Sequence, residues 1–123
     1  MINVAQLKFR LSKKNLIRTA ALFNMIRRQG RRLVMPSFIL NWFEDPGLDR
    51  PCLGVIVRRD TGSAVKRNRA KRLLREVFRL HQQELVKPAY LVLVARKNIV
   101  NKCFREIEEE YLNALSLAGL IKK

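Results

Sequence analysis

Metal and redox chemistry have little to work with in this chain. It has one histidine, His81, and two cysteines, Cys52 and Cys103, with neither the CxxC spacing nor the His/Cys cluster that a zinc site needs. Cys52 opens an apolar run and reads as a small core residue, Cys103 stands near a helix start, and both thiols are expected to be reduced in a cytoplasm. Long apolar runs are also missing. The N-terminus shows no continuous signal-like stretch, and Arg96, Lys97 and Asn98 interrupt the strongest apolar run before it could span a bilayer. No membrane partner is expected, and the chain reads as soluble and cytoplasmic. Repeats, low-complexity segments and a dividing hinge are absent too, so residues 1–123 read as a single domain, with the order of its basic N-terminal residues 1–11 before binding left open.

The scarcest class that matters is acid. Ten Asp and Glu face 26 Lys and Arg, a formal charge of +16 with an isoelectric point near 11.1. Nine of the basic residues precede Glu44, before any acid appears. Such a surface repels itself, and a polyanion relieves the repulsion, so nucleic acid is the expected partner. The 48% hydrophobic content still supplies a core, which separates this chain from a disordered basic tail. The acids that do occur gather at Glu106, Glu108, Glu109 and Glu110, early in the last helical pattern, and read as a solvated helix face.

Residues 19–29 read as a helix with Thr19 as N-cap, Gly30 as stop and Arg27 and Arg28 in the last turn, although its start could lie nearer Ser12. Strands are expected over residues 38–43, 52–58 and 90–95, the last two apolar enough for burial on both faces, with room for a further short strand near residues 32–35. A loop rich in Pro, Gly and Asp covers residues 44–51. A helix over about residues 64–83 ends before Lys87-Pro88, and a final helix is capped by Asn101. The result is an α/β sandwich of two or three layers in the order α-β-β-α-β-α.

The segment 62–79 carries most of the functional information, because it sets seven basic side chains and Asn68 on a helical pattern. At 100° per residue, Ala70, Leu73, Leu74, Val77 and Phe78 share one stripe, while Asn68, Arg72, Arg75 and Arg79 share the opposite one. Lys71 flanks the cationic face, and Lys66, Arg67 and Arg69 stand near the helix start, where unpaired N–H groups also favour anions. Guanidinium forks suit phosphates, though phosphate contact alone selects no sequence. The plainer alternative is a solvated helix on which Glu76 pairs with Arg72 or Arg79.

This run, Gly62-x-Ala64-Val65-x-Arg67-Asn68-Arg69-x-Lys71-Arg72-x-x-Arg75-Glu76-x-Phe78, resembles the RNR signature of the bacterial ribonuclease P protein subunit. The preceding residues 53–59, ending in Arg58-Arg59, are similar to the strand that leads into it, and residues 92–96 extend the likeness downstream. The resemblance implies a left-handed crossover between parallel strands, against the usual hand. It also implies that the protein joins a catalytic RNA, which removes the 5′ leader of precursor tRNA with Mg2+, the protein itself holding no cofactor and no catalytic residue. The signature would meet that RNA, and a cleft between the N-terminal helix and the sheet would receive the leader.

On this reading Phe23 and Phe38 match cleft aromatics, each open to being core instead. Arg27 and Asn41 stand where the family has further aromatics, which shifts leader recognition toward polar contacts. A ribosomal or RNA-assembly protein is the alternative that charge and size leave open. A DNA-binding module lacks a helix-turn-helix pair, and an independent nuclease lacks positioned acid–base groups, His81 reading as an isolated helix-end residue.

Overall fold

The computed structural model describes residues 16, 17 and 19–122. Helix α1 (Ala20–Gln29) begins where Thr19 Oγ1 accepts the Leu22 N–H at 3.2 Å and ends at Gly30, whose N–H reaches the Ile26 carbonyl at 2.8 Å. The alternative start near Ser12 is excluded, because Leu16 bridges Leu53 and the Ile17 N–H donates to the Leu53 carbonyl. Residues 1–11, including the basic N-terminal stretch, lie outside the described residues.

Four strands follow: β1 (Arg31–Val34), β2 (Phe38–Glu44), β3 (Cys52–Ile56) and β4 (Ala89–Ala95), in the spatial order β1-β2-β4-β3. The short strand that the sequence admitted near residues 32–35 is therefore present as β1. The β1–β2 and β2–β4 pairs are antiparallel, while β3 and β4 are parallel. Helix α2 (Ala64–His81) connects those two parallel neighbours, and helix α3 (Phe104–Leu117) closes the chain's layered core. Asn101 does not cap α3. It ends a short 3-10 turn, Lys97–Asn101, and the cap position is Cys103, whose N–H donates to Glu106 Oε1 at 3.3 Å.

The layers follow from strand alternation. On one face, Phe38, Leu40 and Trp42 of β2 with Leu91 and Leu93 of β4 meet Ala70, Leu74, Val77 and Phe78 of α2 and Ile107, Tyr111 and Leu115 of α3. On the other, Ile17, Ile26, Cys52 and Val92 form a smaller core with Phe23 beneath α1. The domain is thus three layers: α1, the sheet, and α2 with α3.

Gly30 lets α1 abut the sheet. A Cβ there would lie 2.3 Å from the Trp42 carbonyl oxygen and 2.5 Å from that of Ile26, both backbone atoms that cannot swing away. Gly30→Ala is expected to destabilise the domain by about 1–3 kcal/mol, read as a lower midpoint in chemical denaturation.

Candidate nucleic-acid interface

Ser63 starts α2 by accepting the Lys66 N–H at 3.3 Å. Just before it stands Gly62, at φ 158° and ψ −161°, a conformation essentially confined to glycine. The buried stripe of the helix then fixes which way its charges point. Ala70, Leu74, Val77 and Phe78 are almost fully enclosed and Leu73 partly so, leaving Asn68, Arg72 and Arg75 exposed on the outer surface with Lys66, and Lys71 half-buried at its side. Arg58 and Arg59 are exposed at the C-terminal end of β3, where the chain turns into α2. This half of the sequence reading is matched in placement.

Three arginines of α2 are more occupied than their sequence positions suggest. Arg67 Nη1 donates to the Arg59 carbonyl at 3.3 Å, and Arg69 Nη2 donates to the Lys102 carbonyl at 2.8 Å. Arg79 makes a two-pronged contact with Glu76, at 3.0 Å from Nε and 2.6 Å from Nη2. That fork lowers the Glu76 pKa from its ordinary value, against the opposing effect of burial. Arg79 therefore presents an ion pair, the pairing with Glu76 that the sequence left open as the plainer alternative, since three residues along a helix bring the two side chains together.

The second basic surface is a cleft between the C-terminal end of α1 and the sheet, about 890 Å³ in volume. Asn24, Arg27 and Arg28 of α1 form one wall, while Arg32 of β1, Asn41 of β2 and Arg58 complete a polar rim. Ile39, Ile56 and Val94 form the floor. Strand register explains that floor: Ile39 pairs with Val94, Val94 with Ile56, and Val34 with Ile39, so one row of β-branched aliphatic residues crosses all four strands. Val34, at the open edge, is 54% exposed.

Of the four cleft residues expected from the sequence, Arg27 and Asn41 line it. Phe38 does not. It is fully buried on the opposite face, because its odd–even position in β2 puts it with Leu40 and Trp42 toward α2 and α3. Phe23 is half-buried and packs on Gly54, where a Cβ would lie 2.6 Å from the ring, and it does not appear among the residues lining the cleft. Arg28 and Arg32 were missed as cleft residues. The sequence places the former only in the last turn of the helix, and the latter is legible only once β1 is given its alternation.

The acids of α3 are not a merely solvated face. Glu106 takes part in the α3 cap, Glu110 accepts from the Ser37 N–H at 3.0 Å and its hydroxyl at 3.2 Å, and Glu108 meets His81 Nε2 at 2.9 Å. His81 is likewise not isolated, since its Nδ1 contacts Glu84. Burial disfavours the imidazolium, but the bonds to Glu108 and Glu84 and their charges outweigh it and raise the His81 pKa. A raised folded-state pKa gives stability that is full below the ordinary value of about 6.5 and is lost as pH rises through the folded value. The melting temperature of His81→Ala is therefore expected to fall furthest below the unsubstituted protein in mild acid, the gap narrowing toward alkaline pH.

Among the described residues, no group of three or more His, Cys, Asp or Glu side chains is placed to hold a metal ion, and no helix is long and apolar enough to cross a membrane. A cationic helix on one side of a sheet and an arginine-rimmed cleft on the other make this a compact α/β protein fitted to polyanions. The family model Ribonuclease P matches residues 11–119. The ribonuclease P protein component of Syntrophomonas wolfei is 34% identical over 113 residues, 92% of this chain and 94% of that protein. The ribonuclease P protein of Thermotoga maritima superposes with a TM-score of 0.73 at 30% identity, covering 80% of this chain and 93% of that one. That of Staphylococcus aureus shares the fold, with a TM-score of 0.80 at 24% identity over 88% of this chain and 98% of its own. The chain belongs to the ribonuclease P protein family: it is the protein component of an endoribonuclease that matures the 5′ end of tRNA, and its RNA partner is the ribonuclease P RNA. This membership sets aside the ribosomal alternative.

Proposed function

We propose that the protein bridges two polyanions, docking the outer face of α2 on the catalytic RNA while the α1–sheet cleft holds the single-stranded 5′ leader of precursor tRNA. The observation that carries this reading is the separation of the two basic surfaces onto different layers, with Arg58 lining the cleft at the end of the strand that leads into α2. One cation facing both chains lowers their mutual repulsion and restricts how the leader lies relative to the scissile bond. In the cleft, Arg27, Arg28, Arg32 and Arg58 suit phosphates, and the aliphatic floor suits the apolar parts of sugars and bases. The hydrolysis belongs to the RNA and its Mg2+ ions, in keeping with a protein on which no acid–base constellation was found in the sequence. The setting is the cytoplasm.

The test is reconstitution with the matching RNA, measuring precursor-tRNA affinity with and without the protein as the leader is lengthened. The protein's contribution is expected to grow with each nucleotide until the cleft is filled and then level off. A contribution independent of leader length would refute the cleft assignment.

A further inference from the structure

We infer that Arg69, the second arginine of the signature, is a positioning residue that shapes the RNA-binding face without touching a phosphate. The inference rests on the reading of the α2 face as the RNA surface. The Arg69 guanidinium is partly buried and points away from that surface, toward the Lys102 carbonyl 2.8 Å away and 33 residues on in the chain. That carbonyl stands between the 3-10 turn Lys97–Asn101 and the Cys103 cap of α3. A charge-assisted bond to it pins the connector after β4 to the first turns of α2.

The pinned connector helps to hold the rest of the surface. Lys97 Nζ lies 3.7 Å from Asp60 Oδ2, and Asp60 also faces Arg58 Nη2 at 3.7 Å. The connector after β3 has its own tie to α2 through the bond from Arg67 to the Arg59 carbonyl. Both parallel strands thus end in basic connectors tied to the same helix, with exposed Asn68 between the two arginines that tie them. Holding Arg58, Arg59 and Lys97 in fixed places relative to Arg72 and Arg75 prepares a surface for a folded RNA, because side chains ordered beforehand lose less entropy on binding.

Counterion release separates a positioning arginine from a phosphate ligand. Neutralising a phosphate contact lowers the slope of log affinity against log salt by about one, whereas losing a positioning bond weakens binding by the same factor at every salt concentration. The experiment is a salt titration of binding to the ribonuclease P RNA, well below the melting temperature, for the full protein with Arg69→Gln and with Arg69 replaced by citrulline. Citrulline is neutral yet keeps N–H donors in nearly the shape of arginine.

The glutamine variant is expected to bind about tenfold more weakly with an unchanged slope, and amide exchange at residues 97–103 is expected to rise. The citrulline protein should keep the unsubstituted slope and most of the affinity, since its donors remain and only the charge assistance of one bond is lost. A slope lowered by about one in the citrulline protein would overturn the inference by making Arg69 a phosphate ligand. Unchanged affinity in a folded glutamine variant would overturn it by leaving the bond a matter of stability alone. If the glutamine variant does not fold, the citrulline slope decides. If instead Arg72→Ala leaves the slope unaltered, the α2 interface itself fails, a result distinct from either outcome at Arg69.

Discussion

Arg72→Ala combined with Arg75→Ala is expected to weaken association with the ribonuclease P RNA by about a hundredfold or more, with little change in the stability of the free protein. Each side chain is exposed on the outer side of α2, and among the described residues neither has a carboxylate partner such as Arg79 has in Glu76. Each would contribute a charge-assisted bond of about 1.5–3 kcal/mol, and each 1.4 kcal/mol is about tenfold in affinity. The salt slope should fall by about two, one for each contact. Filter binding or fluorescence anisotropy across a salt series reads both quantities, and thermal unfolding of the free variant reads the third. By contrast, Arg79→Ala should change the slope by less than either single substitution, because its charge is already balanced by Glu76.

The second large effect lies on the other side of the same helix. Leu74 is fully enclosed among the side chains of α2, α3 and the sheet, so Leu74→Ala is expected to cost about 2–5 kcal/mol. Domains of this size are stable by only about 5–15 kcal/mol, and a charge of +16 works against the free fold. Much of the available stability would therefore be removed. RNA binds the folded form, so an excess of RNA should raise the variant's melting transition by mass action, while the variant complex stays below the unsubstituted complex by about the same free energy. Urea denaturation of the free variant and thermal melting of its complex measure the two halves of this expectation. A free variant as stable as the parent would mean that Leu74 is not a packed core residue.

What could be read from the sequence was mostly local. Thr19 and Gly30 bound α1 because capping depends on a few neighbouring residues, and the stripe from Ala70 to Phe78 orients α2 because periodicity needs no tertiary knowledge. Alternation sends Phe38 and Ile39 to opposite sides of β2 without saying which side faces α1, and of the two readings open for Phe38, cleft or core, the structure takes the core. The aliphatic row Val34–Ile39–Val94–Ile56 joins four strands and requires the register. Long separations hid the rest. Glu110 finds Ser37 73 residues away, Glu108 finds His81 27 away, and Arg69 finds a backbone carbonyl that leaves no mark in side-chain chemistry. Cys103 escaped as a cap because serine, threonine, aspartate and asparagine are the residues that signal one.

The central claim, that the exposed side of α2 lies against the ribonuclease P RNA, is tested most directly by tethered cleavage in the assembled particle. A chelated iron attached to a cysteine introduced at Arg75, with Cys52 and Cys103 replaced by serine, generates radicals that cut nearby ribose. The account predicts a compact set of cuts in the catalytic RNA from that site and none above background from a probe at Glu109, an exposed position on α3. Equal cutting from both positions, or cuts from Glu109 alone, would contradict it.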